Sequence, residues 1–320
     1  MEYVVVGCRG FGKYHLEALS KIDVDVSIVE RDRETVKLCR DNYNIKSVYG
    51  GFDEAIRSNA DMIDLVVPHN LHAPMALKAL NAGKHVIVEK PLATDVKDAR
   101  SMIGLSKKTG KKLMVAEQYY FDPSIARIRD SILKNEIGRM HTIIMRNQRL
   151  HRGTEWRWDP VANGGGSLID GGIHFVDAML NIGGEYEAVT SRCYKGDSLR
   201  AAEDTAMAIF DFTSGAKGLL FHSWAYSGML QVPSYEIIGD NGAIIEDLGT
   251  RPGPGFQALR GYRAFGDPVV NNRILQTGYF DVFYAEIQGF IDSINNDSDV
   301  PFPPELALRD LETVLTIYNS

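Results

Sequence analysis

The feature that most constrains this chain is a short β-branched run that stops at a cluster of glycines. Residues 3–6 read as a strand, end at Gly7-Cys8-Arg9-Gly10-Phe11-Gly12, and lead into a helix-like stretch at 11–21. A glycine turn between a strand and a helix lets backbone N–H groups approach an anion, and the helix N-terminus adds partial positive charge. The same alternation continues to about residue 118. Apolar runs at 24–29, 62–67, 85–88 and 112–115 alternate with helix patterns at 34–43, 72–82 and 96–109. Near-continuous apolar strands separated by helices call for a doubly wound parallel sheet with right-handed crossovers.

From residue 119 the pattern changes while the composition does not. A helix at 124–134 precedes strand-like segments at 140–149, 188–194, 205–212, 217–224 and 235–238, joined by turns such as Asp240-Asn241-Gly242. Partial period-two alternation predicts an antiparallel sheet with one open face. Residues 251–278, rich in Gly, Pro and Arg, read as a long loop, and helices are expected near 280–295 and 305–318. The expected fold class is therefore α/β: a Rossmann domain over 1–118, then an α+β domain over 119–320 with a large, mostly antiparallel sheet.

Composition excludes several function classes. The 320 residues carry 35 Lys+Arg against 42 Asp+Glu, a formal charge of −7. That balance argues against a nucleic-acid binder relying on phosphate neutralisation. Cys8, Cys39 and Cys193 are few, dispersed and odd in number, which argues against a disulfide framework. No apolar run reaches the roughly 18 residues of a membrane-spanning helix, and no signal-like segment opens the chain. The expectation is a cytoplasmic protein with neither nucleic-acid nor membrane partner.

The turn itself departs from the G-x-G-x-x-G dinucleotide fingerprint. Gly7 and Gly12 match its first and third glycines, Arg9 stands at the second, and Gly10 is expected to provide the close approach instead. Glu30 lies 18 residues after Gly12 at the end of the second strand, where a carboxylate accepts hydrogen bonds from ribose hydroxyls. A carboxylate there repels a 2′-phosphate and favours NAD; Arg31 and Arg33 beside it could clamp that phosphate, so NADP stays open.

Further along, the chain reads Ala82-Gly83-Lys84-His85-Val86-Ile87-Val88-Glu89-Lys90-Pro91-Leu92-Ala93, and later Gly164-Gly165-Gly166-Ser167-Leu168-Ile169-Asp170-Gly171-Gly172-Ile173-His174. Both closely resemble signatures of the glucose–fructose oxidoreductase, inositol dehydrogenase and MocA family. Pro68-His69-Asn70-Leu71-His72 resembles the family's turn after an earlier strand, with His69 where Asn is usual. Phe121-Asp122-Pro123 and Ile137-Gly138 resemble its crossing into the second domain.

The resemblance implies an NAD(P)-dependent oxidoreductase acting on the hydroxyl or carbonyl carbon of a sugar, polyol or related small alcohol. It implies a catalytic set of Lys90, Asp170 and His174. It places Gly7, Arg9, Gly10, Phe11, Gly12, Glu30, Arg31, His72, Glu89 and Lys90 along the cofactor, with no metal. The chemistry suits those residue types. A lysine ammonium polarises a reacting oxygen, and a histidine exchanges a proton near neutral pH. An aspartate four residues before that histidine faces the same way on a helix. Read without the resemblance, Asp170 and His174 are a helix ion pair and Lys90 a surface lysine.

Trp156-Arg157-Trp158, Gln118 and Tyr119 are secondary candidates for substrate or nicotinamide contact. His69 and His72 lack the partners of a zinc site, and His222 reads as structural. The rival reading from a different class is a non-catalytic, dinucleotide-responsive regulator of the same fold. The open sheet face needs cover, so a homodimer or homotetramer is expected; a monomer by light scattering at micromolar concentration would count against it.

Overall fold

A computed structural model describes residues 1–152, 155–196, 200–228, 232–251 and 263–320. Strand and helix alternate: β1 (Glu2–Val6), α1 (Phe11–Leu19), β2 (Asp25–Val29), α2 (Arg33–Asn42), β3 (Ile45–Tyr49), α3 (Phe52–Arg57), β4 (Met62–Leu65), α4 (His72–Asn81), β5 (His85–Glu89), α5 (Val96–Thr109) and β6 (Leu113–Ala116), with β3 and α3 added to the expected segments. The six strands pair in parallel in the order β3-β2-β1-β4-β5-β6. Their central residues, among them Val4, Val5, Ile63, Val86 and Ile87, are fully buried, which is why those runs are continuously apolar. Local chemistry sets the helix ends. Asp32 and Asp95 cap α2 and α5 through the N–H groups of Thr35 and Asp98, and α5 stops at Gly110 in the left-handed region. The order reverses at β1 and β4, so the crevice at their carboxyl ends is the ligand position of an open α/β sheet.

The second half contains α6 (Pro123–Leu133), β7 (Met140–Gln148), α7 (Pro160–Asn163), α8 (Ile173–Gly183), β8 (Tyr186–Tyr194), β9 (Thr205–Phe212), β10 (Lys217–Ser223), β11 (Tyr235–Gly239), β12 (Gly242–Glu246), β13 (Pro268–Val270) and β14 (Arg273–Ile274). The sheet order is β14-β13-β12-β11-β7-β10-β9-β8. Among the described residues, only the central β7/β10 pair is parallel; every other pair is antiparallel. Along β9, Ala206, Ala208, Phe210 and Phe212 are buried while Met207 and Ile209 are 39% and 55% exposed, so one face is open. The expected loop at 251–278 needs correction where it is described: 252–262 lie outside the described residues, but β13 and β14 extend the sheet edge. Runs of three and two residues are too short to show a period.

Two helices follow, α9 (Val282–Asn295) and α10 (Pro304–Asn319). The chain forms two compact units, Met1–Glu117 with Phe283–Leu308, and Gln118–Val282 with Arg309–Ser320. The stretch from Phe283 to Leu308, expected in the second domain, packs in the first unit.

Candidate active site

In the first unit the glycine turn follows β1 at the switch point. Gly7 has φ +95, and a Cβ there would strike the carbonyl of Val66; a Cβ on Gly12 would strike the carbonyl of Gly7. These two glycines are therefore required by the packing of the turn against its own backbone and that of Val66. Gly10 has φ +56, and a Cβ there would meet no atom of the chain within 4 Å, so its backbone faces open space. Helix α1 starts with Gly10 as N-cap, no side-chain cap and no acidic residue in its first turn. Gly12 N–H donates to the Arg9 carbonyl at 3.0 Å, and no side chain caps the helix, an end whose partial positive charge suits an anion.

Arg9 turns back from the loop, its guanidinium 2.7 Å from Asp32 and its Nε donating to Thr35 Oγ1 at 3.0 Å. Glu30 accepts from the backbone N–H groups of Cys8 (3.3 Å), Arg31 (2.8 Å) and Asp32 (3.0 Å). A carboxylate offers about four acceptor positions, so roughly one remains for a ribose hydroxyl. Beside it, Arg31, Arg33, Lys37 and Arg40 line a cleft of about 350 Å³.

Lys90 follows β5, is 5% exposed, and holds its ammonium 5.9 Å from the ring centroid of Phe11, the first residue of α1. Its backbone N–H donates to Glu89 Oε2 at 3.1 Å. Glu89 Oε1 lies 3.1 Å from His15 Nε2, His15 Nδ1 lies 2.8 Å from Asp64 Oδ2, and Tyr3 donates its hydroxyl to that same oxygen at 3.0 Å. Both imidazole nitrogens face carboxylates, so both donate and the ring is charged. Burial opposes that charge, but Asp64 and the two hydrogen bonds outweigh it and raise the pKa well above the usual histidine range. Glu286 on α9 faces the same group. Burial raises its pKa well above the usual range against the pull of His15, so it is held neutral.

His72 is corrected as a cofactor contact. It is fully buried, with Nδ1 2.7 Å from the Pro91 carbonyl and Nε2 2.9 Å from that of Val67. Burial lowers its pKa, so the ring donates from one nitrogen only and sits between the two carbonyls beneath the turn after β5.

In the second unit Asp170 lies in a single π-helical turn, Leu168–Gly172, that runs into α8, which carries His174. Such turns recur where a helix is adapted to a function. Glu203 and Tyr318 cap it: Glu203 Oε1 accepts from Leu168 N at 2.8 Å and from Tyr318 Oη at 2.9 Å, while Tyr318 Oη accepts from Ile169 N at 3.1 Å. A Cβ on Gly165 would sit 2.6 Å from Tyr318 Oη, and one on Gly166 would strike Glu203, which explains the glycine run. Gly171 and Gly172 likewise give Trp224 and His222 room: a Cβ would lie 2.6 Å from Trp224 Cζ2 and 3.1 Å from His222 Cγ. The Asp170 carboxylate pairs with the Arg157 guanidinium. The His174 ring stacks on Tyr119, centroids 4.3 Å apart at 19°.

A sequence profile described as an oxidoreductase family with an NAD-binding Rossmann fold matches residues 1–117, and the GFO/IDH/MocA C-terminal domain matches 125–245. This chain belongs to the GFO/IDH/MocA oxidoreductase family. Among its relatives is 1-carboxy-3-chloro-3,4-dihydroxycyclohexa-1,5-diene dehydrogenase of Comamonas testosteroni, 28% identical over 246 residues, 73% of this chain and 60% of that protein. Another is 4-carboxy-2-hydroxymuconate-6-semialdehyde dehydrogenase of Sphingobium, 36% identical over 140 residues, 43% of this chain and 44% of that protein. The matched part thus spans less than two thirds of either relative. A levoglucosan dehydrogenase solved with NADH and levoglucosan shares the fold, with a TM-score of 0.83 at 21% identity over 100% of this chain and 96% of that one.

For this family member, the structure gathers the glycine turn, Glu30, Glu89 and Lys90 in the first unit, and Asp170 and His174 with Tyr119 and Arg157 in the second. The sequence reading missed His15, Glu203 and Tyr318. His15 carries a local signal, three residues after Gly12 on the buried face of α1; Glu203 and Tyr318 carry none. His222 is fully buried, as its structural reading requires. No helix among the described residues is long and apolar enough to cross a membrane.

Proposed function

We propose that this chain is an NAD-dependent oxidoreductase that moves a hydride between the cofactor and a hydroxyl or carbonyl carbon of a sugar-like or cyclic-diol substrate. The observation that carries the reading is the position of Lys90. It is a buried ammonium near the first residue of a helix whose N-terminus no side chain caps and no acidic residue flanks. The residues present fit a dinucleotide: Gly7 and Gly12 admit no Cβ, and Glu30 keeps an acceptor position. The nicotinamide, when bound, supplies the hydride acceptor or donor.

The chain's own groups supply the rest. Lys90 polarises the reacting oxygen and favours its alkoxide form. His174 exchanges the hydroxyl proton, its ring plane fixed by the stack on Tyr119. Asp170, already matched by Arg157, orients the substrate and takes no proton. The four basic residues beside Glu30 favour a second cofactor reading, NADP.

Calorimetric titration with NADH and NADPH, followed by turnover on a panel of sugars, polyols and cyclic diols, tests this. NADH is expected to bind the wild type, H174N and K90M alike. Removing a general acid–base costs about 10²–10⁴-fold, so kcat is expected to fall by at least about a hundredfold in H174N. Unchanged turnover in either variant removes that residue from the mechanism. A folded protein that binds neither nucleotide is not an oxidoreductase of this kind.

A further inference from the structure

We propose that the substrate carries a carboxylate and that Arg149, at the end of β7 in the second unit, receives it. The inference rests on the oxidoreductase reading and names the substrate class for it. Arg149 N donates to the Ser223 carbonyl at 2.9 Å, and Leu150 forms an isolated antiparallel bridge with Ala225, so the two chains stay backbone-bonded past the ends of β7 and β10. That pairing holds the guanidinium carbon 5.9 Å from the centroid of the Trp224 ring. Trp224 is 1% exposed and forms a rigid floor, while Arg149 itself is exposed. The same ring meets His151 at 4.3 Å, Trp158 at 5.5 Å and His222 at 5.9 Å.

The charges on this floor do not balance. Arg157 is matched by Asp170. Arg200, stacked 4.1 Å over Trp158, is matched by the buried Asp204 at 3.7 Å. Arg149 has no carboxylate partner among the described residues. The two histidines add no charge of either sign: burial, then the neighbouring Arg149, lowers His151 to about 4 and His222 to about 3, so both are neutral near pH 7. One guanidinium is therefore left over beside the arginine that holds Asp170.

A neutral sugar has no group that would match it. A carboxylate does, because its two oxygens fit the planar fork of one guanidinium. A phosphate, with about twice the charge, calls for more than one uncompensated cation. Two relatives point the same way, since the names of both carry a carboxy group on the molecule they act on.

Two stable probes differ only in that group: 3,4-dihydroxybenzoate and catechol. Each is titrated calorimetrically into NADH-loaded wild type, R149Q and R149K. The carboxylated probe is expected to bind the wild type at least about tenfold more tightly, which is about 1.4 kcal/mol. R149Q is expected to lose the preference and R149K to keep part of it, with catechol unaffected by either. Equal affinities in the wild type, no binding of 3,4-dihydroxybenzoate, or a preference that survives in R149Q would each overturn the proposal. Those outcomes leave the oxidoreductase reading standing, because it fails at a separate step, the binding of NADH itself. Melting temperatures confirm that the variants are folded.

Discussion

His15 shows how a buried side chain outside the proposed catalytic set can hold the position of one of its members. Its imidazole joins Asp64, 49 residues away, to Glu89, 74 residues away, and Glu89 in turn holds the backbone of Lys90. No local pattern discloses such a contact, because the partners meet only once β4 and β5 stand beside β1. Glycine spacing and the Glu89-Lys90-Pro91 run were legible because they are local. The glutamine variant, H15Q, cannot carry charge or satisfy both carboxylates. Breaking a buried ion pair costs about 3–5 kcal/mol, so H15Q is expected to melt well below wild type at pH 6. The sign with pH follows from the raised folded pKa. The stabilisation is complete below the unfolded value of 6.5 and is lost as pH rises toward the folded value. The melting gap is therefore expected to narrow steadily above about pH 6.5. E286Q replaces a group already held neutral and is expected to leave the pH 7 melt unchanged. A gap that stays constant with pH would show that His15 fills space without carrying charge.

At the scale of elements, long periodic segments were readable and short ones were not. Strands such as β9 and helices such as α5 bury a whole face and show its period. β3 is a half-buried edge strand, and α3 has six residues, so neither gives a pattern that stands out. The run from Gly164 to Gly172 was legible as a motif, but its physical cause was not. Those glycines make room for Glu203, Tyr318, Trp224 and His222, which come from three other segments. Glu203 makes this element sensitive to pH. Burial raises its carboxyl to about 7, against the hydrogen bonds from Leu168 and Tyr318. A raised acid pKa means that the folded state binds the proton more tightly than the unfolded one. Stability is then greatest below the unfolded value and falls as pH rises toward the folded one. A shift of that size corresponds to roughly 3 kcal/mol. E203Q keeps the acceptor for Leu168 without the charge. It is expected to match the wild type at pH 5 and to melt higher at pH 8. Equal melts at both pH values would show that Glu203 ionises freely in the folded protein.

For the whole molecule, the sequence disclosed where the chain leaves its first unit but not where it returns. A change from helix–strand alternation to period-two strands is visible near residue 118. An amphipathic helix near 280–295 is visible too, but its apolar face does not say which core it joins. The structure places Phe283 on α1, stacked on Tyr14 at 5.1 Å and tilted against Phe11 at 6.2 Å. Ile287, Phe290 and Ile291 are buried along the same helix. Lys112 pairs with Asp297 at 3.1 Å and Lys107 with Glu305 at 2.8 Å. Four large apolar side chains at about 1.5–3 kcal/mol each amount to roughly 6–12 kcal/mol. That is comparable with the whole stability of a domain, about 5–15 kcal/mol. Residues 1–117 alone are therefore expected to show no cooperative melt by circular dichroism. The same residues joined through a flexible Gly-Ser linker to 282–308 are expected to recover one, and to bind NADH in a calorimeter. If the shorter chain melts cooperatively at the same temperature, α9 is an attachment to the first unit and not part of its core. The proximity of Phe283 to the glycine turn would then have no bearing on how that turn is held.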